Sequence, residues 1–273
     1  MAGCVCVEGG VVWAAREGAQ GALNICKRGR GRVAPGKKTM NKTKKRTLLV
    51  CVEGPIGVGK STLLDNLEAL NKPGVVTLKE PVDEWKSVQV AEGKNMLQGM
   101  YDLTISSALF QLSILQSRFG PLVRALTYND TRIVVSERGP WSEKLVFAKS
   151  NLSTSEFSCY RYAHSSLIKD LFPIVGEVAV LFLYLDLPTD AIIERIKARG
   201  RDEEKNIKPE YLNRLAEAHV AMKSELATPA CLGCAESIVG PVRHVSVNAG
   251  MDPEALVSSV WEIIEDAAAS VFV

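Results

Sequence analysis

The stretch VCVEGPIGVGKSTLLDNL, residues 50–67, constrains this chain more than any other. An apolar run ends in a glycine-broken turn, and a lysine and two hydroxyls then open a helical pattern. Gly54, Pro55, Ile56, Gly57, Val58, Gly59, Lys60 and Ser61 fit G-x-x-x-x-G-K-[ST], with Thr62 next in line. The pattern stands between a strand and a helix, the context it needs to hold phosphate. Glycines let the backbone curl so that successive N–H groups face anionic oxygens, and the helix N-terminus adds its positive dipole end. Lys60 supplies a point charge to the β- and γ-phosphates, and Ser61 supplies a hydroxyl for Mg²⁺. These residues predict a nucleoside triphosphate site.

The rest of the chain fits a sheet that carries such a loop. Apolar strand patterns run from Thr47 to Glu53, Val75 to Glu80, Thr131 to Glu137, Val178 to Asp186 and Arg243 to Asn248. Helical patterns fill the gaps, at about 60–71, 104–127, 141–149, 153–171, 189–198, 208–226 and 252–270. Strands that are apolar throughout and alternate with helices indicate a parallel sheet covered on both faces. Residues 47–273 read as one such α/β domain. No apolar run reaches the roughly 18 residues that suggest a membrane span.

Charge sets the first 46 residues apart. They hold eleven Lys/Arg and two acids, on a chain whose net charge is only +2. A basic, glycine-rich stretch without helical or strand period is expected to be a disordered extension. It reads either as a segment targeting an organelle or as an extension ahead of a start at Met40, so both cytoplasm and mitochondrion stay open. The seven scattered cysteines do not form a disulfide framework. Cys231 and Cys234 are expected as free thiols in a surface loop. His164, His219 and His244 show no metal-ligand spacing.

Loops of this kind serve motors, GTPases and small-molecule kinases. A GTPase needs an N-K-x-D base-reading motif, which does not occur, and a motor needs a longer chain. A small kinase needs an acid near the acceptor and an arginine-rich lid. Glu80, before Pro81, ends the second strand, where ligands of parallel sheets bind, and it is placed to accept a hydroxyl proton. Arg195 and Arg199 lie four apart on one helical face, and Arg201 follows the break at Gly200. Three guanidiniums suit a transferring phosphoryl group.

EGPIGVGKST, EPVDEW, MYDL with LFQLSILQSR, SERGPW and ERIKARGRDEE occur in that order over about 47–250. Together they resemble the deoxynucleoside kinase family, which includes deoxycytidine, deoxyguanosine and mitochondrial thymidine kinases. The resemblance implies the P-loop kinase fold, with a five-stranded parallel sheet flanked by helices and a short arginine-rich lid. It implies transfer of the γ-phosphoryl group of ATP, with Mg²⁺, to the 5′-hydroxyl of a deoxyribonucleoside. By the same resemblance Glu80 is the base, Arg138 steadies the same region and the phosphoryl group, Lys60 acts on the phosphoryl group, and Arg195, Arg199 and Arg201 are the lid arginines, Arg195 among the catalytic residues. Glu137 joins Ser61 near Mg²⁺. Tyr101 and Glu204 hold the sugar 3′-hydroxyl, and Met100 lies beside them. Trp85, Phe110 and Phe147 wall the base pocket, and Gln111 bonds the base edge. A homodimer through the helices at 104–127 and 153–171 is implied too, with no membrane or nucleic acid as partner.

Gln111 and Arg118 are seven apart on one helix, roughly 10 Å along one face. Arg118 falls where deoxycytidine and deoxyguanosine kinases carry arginine, and Glu143 where they carry aspartate. Thymidine-accepting relatives carry smaller uncharged residues there. An Arg118–Glu143 pair on the pocket floor would crowd the thymine methyl and favour deoxycytidine or purine deoxynucleosides. Two other readings remain: a nucleoside-monophosphate kinase resembling thymidylate kinase, and an accessory subunit that keeps the fold without the activity.

Overall fold

A computed structural model describes residues 45–201, 204 and 207–272. Residues 1–44 of the expected 1–46 extension, Met40 included, lie outside the described residues, whereas Arg46 at its end opens the first strand and pairs with Glu177. In chain order the elements begin with β1 (Arg46–Glu53), α1 (Lys60–Ala69), β2 (Val75–Leu78), α2 (Val82–Ser87), β3 (Gln89–Ala91), β4 (Lys94–Asn95), α3 (Met96–Tyr101), α4 (Ser107–Thr127) and β5 (Ile133–Glu137). Next come α5 (Pro140–Ser142), a π-helical turn (Glu143–Ala148), α6 (Lys149–Asn151), α7 (Thr154–Leu171), β6 (Glu177–Asp186), α8 (Thr189–Arg199), α9 (Pro209–Glu225), β7 (Arg243–Asn248) and α10 (Pro253–Val271).

Five strands form one sheet in the order β2-β5-β1-β6-β7, and every neighbouring pair is parallel. β1 is central, paired with β5 from Leu48↔Ile133 and with β6 from Arg46↔Glu177. Seven of its eight residues are buried, which is why RTLLVCVE reads as continuous rather than alternating. One face packs Leu63, Leu64 and Leu67 of α1 and Val260, Ile264 and Ala267 of α10 on the sheet. The other packs Leu115, Phe119 and Leu122 of α4, Tyr160 and Ile168 of α7, and Leu215 and Met222 of α9. Each fully buried leucine contributes about 2 kcal/mol.

The strand and long-helix expectations hold within a few residues. Capping explains where α4 starts: Asp102 takes the backbone N–H of Thr104 at 3.1 Å and Ser106 that of Leu109 at 3.2 Å, so the helix opens at 107 and not 104. β2 stops at Leu78, whose last partner is Ser136, before Pro81 removes a donor. The segment expected as one helix over 141–149 is instead broken by a π-helical turn. α2, α3 and the β3–β4 hairpin were not anticipated. Their Trp85 and Met96 join Phe110 and Ile114 of α4 in a separate apolar cluster beside the sheet. Cys231 is exposed, but Cys234 is buried, contrary to a loop of two surface thiols. The sulfur is apolar enough to pack beside Leu232 and Ile238.

Candidate active site

A cavity of about 640 Å³ opens where the carboxyl ends of the strands meet α1 and α8. One end is the phosphate loop, with Ile56 to Thr62 on its wall. Gly57 has φ +83°, and a Cβ there would stand 2.6 Å from Cγ1 of Ile196 on α8. Gly54 and Pro55 act through their carbonyls, which accept from Nζ of Lys60 at 3.2 and 2.9 Å. Burial, and then the like charge of Arg138, pulls Lys60 down to about 7, against the carboxylates of Glu137, Glu80 and Glu53. A phosphate chain brings the negative charge that this buried lysine needs. Ser61 Oγ donates to Oε1 of Glu137 at 2.9 Å. A hydroxyl and a carboxylate so placed form an oxygen donor set of the kind Mg²⁺ takes.

Arg195 does not hang free at the loop. Its Nη1 donates to Val58 O at 2.8 Å and its Nη2 to Ala249 O at 3.0 Å. It braces the loop against the turn after β7. That turn and α10 add Ala249, Met251, Pro253, Leu256 and Val257 to the wall, and α1 adds Asp65 and Asn66. No signal in the sequence marked these residues. They become neighbours of the loop because β7 closes the sheet and α10 packs back on α1.

The other end holds the acceptor residues. Glu80 projects just beyond β2. Its Oε1 accepts from Nε of Arg138 at 3.0 Å and from Nη1 of Arg118 at 3.2 Å. Burial favours the neutral acid, but Arg138, Arg118 and Lys60 outweigh it and hold Glu80 below the ordinary carboxylate range. Glu143 shares Arg118 and goes the other way: burial pushes it up, Arg118 opposes, and Glu80 adds its like charge. Two carboxylates on one guanidinium are thus shifted in opposite directions, with Glu80 the one held toward its ionised form.

Arg118 is mostly covered beside the buried Glu143, not on the surface. It is placed differently from the expected pocket floor, however. Glu143 lines the main cavity, but the guanidinium lies behind it, on a second cavity of about 240 Å³ between β2 and α4. The close Arg118–Glu143 contact, with Nη2 donating to the carbonyls of Glu137 and Arg138, holds it there. Arg118 therefore sets two carboxylates without facing the cavity.

Arg138 occupies left-handed backbone, φ +63°, at a cost of about 1–3 kcal/mol for a non-glycine residue. The bend turns its side chain back into the cavity, over the Phe147 ring at 4.6 Å. Glu143 and Phe147 both reach the cavity from the π-helical turn, a local geometry that often marks functional sites. Trp85, Met100, Tyr101, Phe110 and Gln111 complete this end. Trp85 Nε1 is satisfied by Ser117 Oγ at 3.0 Å. Gln111 is 2 % exposed, and its Oε1 has no partner among the described residues. Such an amide has bonding capacity left for a ligand edge. Burial, with Tyr211 and Glu204 adding to it, pushes the Tyr101 phenol up and keeps it a donor. Glu204 does not bond Tyr101 directly; it accepts from Arg199 at 2.5 Å and Arg201 at 3.4 Å on the same wall. Sequence reasoning missed Val82, Leu97, Ile114 and Tyr211 of the wall.

The chain is 29 % identical over 197 residues to deoxycytidine kinase 2 of Gallus gallus, covering 64 % of this chain and 73 % of that protein. It is 32 % identical over 179 residues to the thymidine kinase of Ictalurid herpesvirus 1, covering 65 % and 75 %. A solved structure of deoxyadenosine kinase from M. mycoides superposes with TM-score 0.55 at 22 % identity, over 80 % of this chain and 99 % of that one, and supports the fold. Residues 50–264 match the family model described as Deoxynucleoside kinase. The chain belongs to the deoxynucleoside kinase family and is a kinase that phosphorylates nucleosides.

Proposed function

We propose that this kinase uses ATP to phosphorylate the 5′-hydroxyl of deoxyribonucleosides, and that it favours deoxycytidine or purine deoxynucleosides over thymidine. The observation that carries the reading is Glu80: an ionised carboxylate in the cavity entered by the phosphate loop, held by two guanidiniums. The 5′-oxygen bonds to the γ-phosphorus as the bond to the β-phosphate oxygen breaks, and Glu80 takes the hydroxyl proton. Positioning and charge carry most of such a transfer. Lys60 and Arg138 face the moving phosphoryl group, and Arg199 and Arg201 border its path. Ser61 and Glu137 would hold Mg²⁺, which neutralises phosphate charge when bound. Tyr101 and Glu204 belong to the sugar site, and Phe147 and Phe110 flank the base.

Gln111 and Glu143 support the base preference. A buried carboxyl and an amide oxygen without a partner among the described residues, lining one cavity, reward exocyclic amino groups and leave a thymine methyl against polar surface. Two copies joined through α4 and α7 complete the reading, since these helices leave Leu109, Leu112 and Tyr162 uncovered.

Purified protein, as the full chain and from Met40, would be assayed with ATP and Mg²⁺ on deoxycytidine, deoxyadenosine, deoxyguanosine, thymidine and thymidine monophosphate. Amino-bearing nucleosides are expected to turn over at least tenfold better than thymidine in kcat/KM. Glu80→Gln is expected to lower kcat about a thousandfold. Thymidine as best substrate would overturn the base preference alone. Turnover of the monophosphate alone, or an active Glu80→Gln, would overturn the reading of the acceptor site. Sedimentation of the same sample as a single 29.7 kDa chain would remove the dimer.

A further inference from the structure

His219 lies on α9, outside every motif that identified the site. Its ring is buried, 5 % exposed. Nδ1 stands 2.7 Å from the carbonyl of Leu215, one helical turn back. A carbonyl only accepts, so Nδ1 carries the ring proton and Nε2 keeps its lone pair. Nη1 of Arg138, which only donates, stands 3.2 Å from that Nε2.

We propose that His219 is a positioning residue for phosphoryl transfer: a neutral acceptor that fixes the rotation of the Arg138 guanidinium so that its Nη2 faces the transferring group. The proposal rests on the role given to Arg138 above. A guanidinium has five N–H bonds in one plane. Here Nε–H goes to Glu80 at 3.0 Å, and Nη1 serves both Gly54 O at 2.9 Å and His219. Phe147 covers the face of the plane at 4.6 Å. Among the described residues nothing takes the two N–H bonds of Nη2, on a side chain that borders the cavity.

The choice of acceptor has a physical reason. An acid at this position would also orient the guanidinium, but it would cancel much of the charge a phosphoryl group needs. Imidazole orients without neutralising. Burial and the charge of Arg138 pull His219 down to about 3, so it remains the neutral acceptor. The ring also meets Phe147 edge-on, with centroids 6.4 Å apart at 89°, which ties the guanidinium to the base-pocket wall.

Replacement by leucine, asparagine and glutamine tests this on the full chain. Glutamine can place an acceptor where Nε2 was; asparagine cannot reach; leucine keeps the bulk alone. His219→Leu and His219→Asn are expected to lose about ten- to a hundredfold in kcat, with KM for nucleoside and ATP within about twofold. His219→Gln should recover most of that loss. Arg138→Lys runs alongside, alone and combined with His219→Leu, and the double variant should be no worse than Arg138→Lys. Glutamine failing as badly as asparagine would overturn the proposal, as would a loss confined to KM or additive losses in the double variant. Should leucine fold poorly by thermal unfolding, the glutamine–asparagine contrast decides. Full activity in Arg138→Lys would instead strike the role of Arg138 itself, and separates that failure from failure of the histidine.

Discussion

The candidate phosphate site lies within nine successive positions, residues 54–62, and is mostly backbone. Glu80, Arg118, Arg138 and Glu143 form the candidate acceptor site from β2's end, α4, β5's end and a π-helical turn, joined side chain to side chain and braced on the carbonyls of Gly54, Glu137 and Arg138. The loop needs only a strand before it and a helix after it. The network needs the sheet order, because β5 inserts between β2 and β1 and brings Arg138 beside Glu80, 58 positions earlier. Damage should therefore spread differently. A change in the network disturbs several charges at once, whereas a change in the loop stays with the nucleotide.

Arg118→Met should produce the larger effect. It leaves the buried Glu143 and the half-buried Glu80 with one guanidinium fewer; breaking a fully buried ion pair from one side costs about 3–5 kcal/mol, and the partial exposure of Glu80 sets this change at the low end. The folded pKa of Glu80 lies below its unfolded value. Its contribution to stability is therefore full above the unfolded pKa and is lost as pH falls through the folded one. Without Arg118 the folded value rises, so the acid limb of kcat/KM should move to higher pH. A fall of about a hundredfold in kcat is expected at neutral pH. Denaturant unfolding and a pH–rate profile measure both. An unmoved acid limb with unchanged stability would mean that the carboxylates do not depend on Arg118.

Gly57→Ala should act more narrowly. It forces a side chain into left-handed backbone and against Ile196, so either the loop or α8 must shift. Such strain costs about 1–3 kcal/mol. KM for ATP is expected to rise about tenfold, with KM for the nucleoside within twofold. Equal rises in both would show that loop and network are one mechanical unit, and the contrast between them would fall.

The same contrast explains what could be read in advance. The loop, the five strands and the long helices were legible because each is written in a contiguous period. Glu80 was legible because a strand end in a parallel sheet has a known place. The hairpin, α2 and α3 are too short to show a period, and their apolar residues make sense only as a cover over Phe110. Arg118 could be put near Glu143, but not behind it, because helix spacing gives a face and not the depth of a guanidinium. Arg195 was seen as a lid residue, yet its nitrogens serve Val58 and Ala249, 137 and 54 positions away. His219 carries no signal in the sequence, because no other histidine stands at metal-ligand spacing from it. Its meaning lies in an arginine 81 positions earlier.

Lys79 gives the sharpest small test. It precedes Glu80 in sequence and carries the charge that a reader of KEPVDEW would credit to the site. Its side chain goes instead to α1, where it pairs with Asp65 and Glu68 at 2.6 Å each, and it does not line the main cavity. All three side chains are more than a third exposed, so water and salt screen the pairs and ordering long side chains offsets the gain. Lys79→Ala should leave kcat and both KM values within about twofold and shift the unfolding midpoint by less than about 3 °C. A tenfold loss of activity would place the network's boundary at α1 and extend it across the sheet edge. Silence at Lys79, beside a thousandfold loss at Glu80, would show that one step along the chain leaves the network entirely, while 58 steps to Arg138 stay within it.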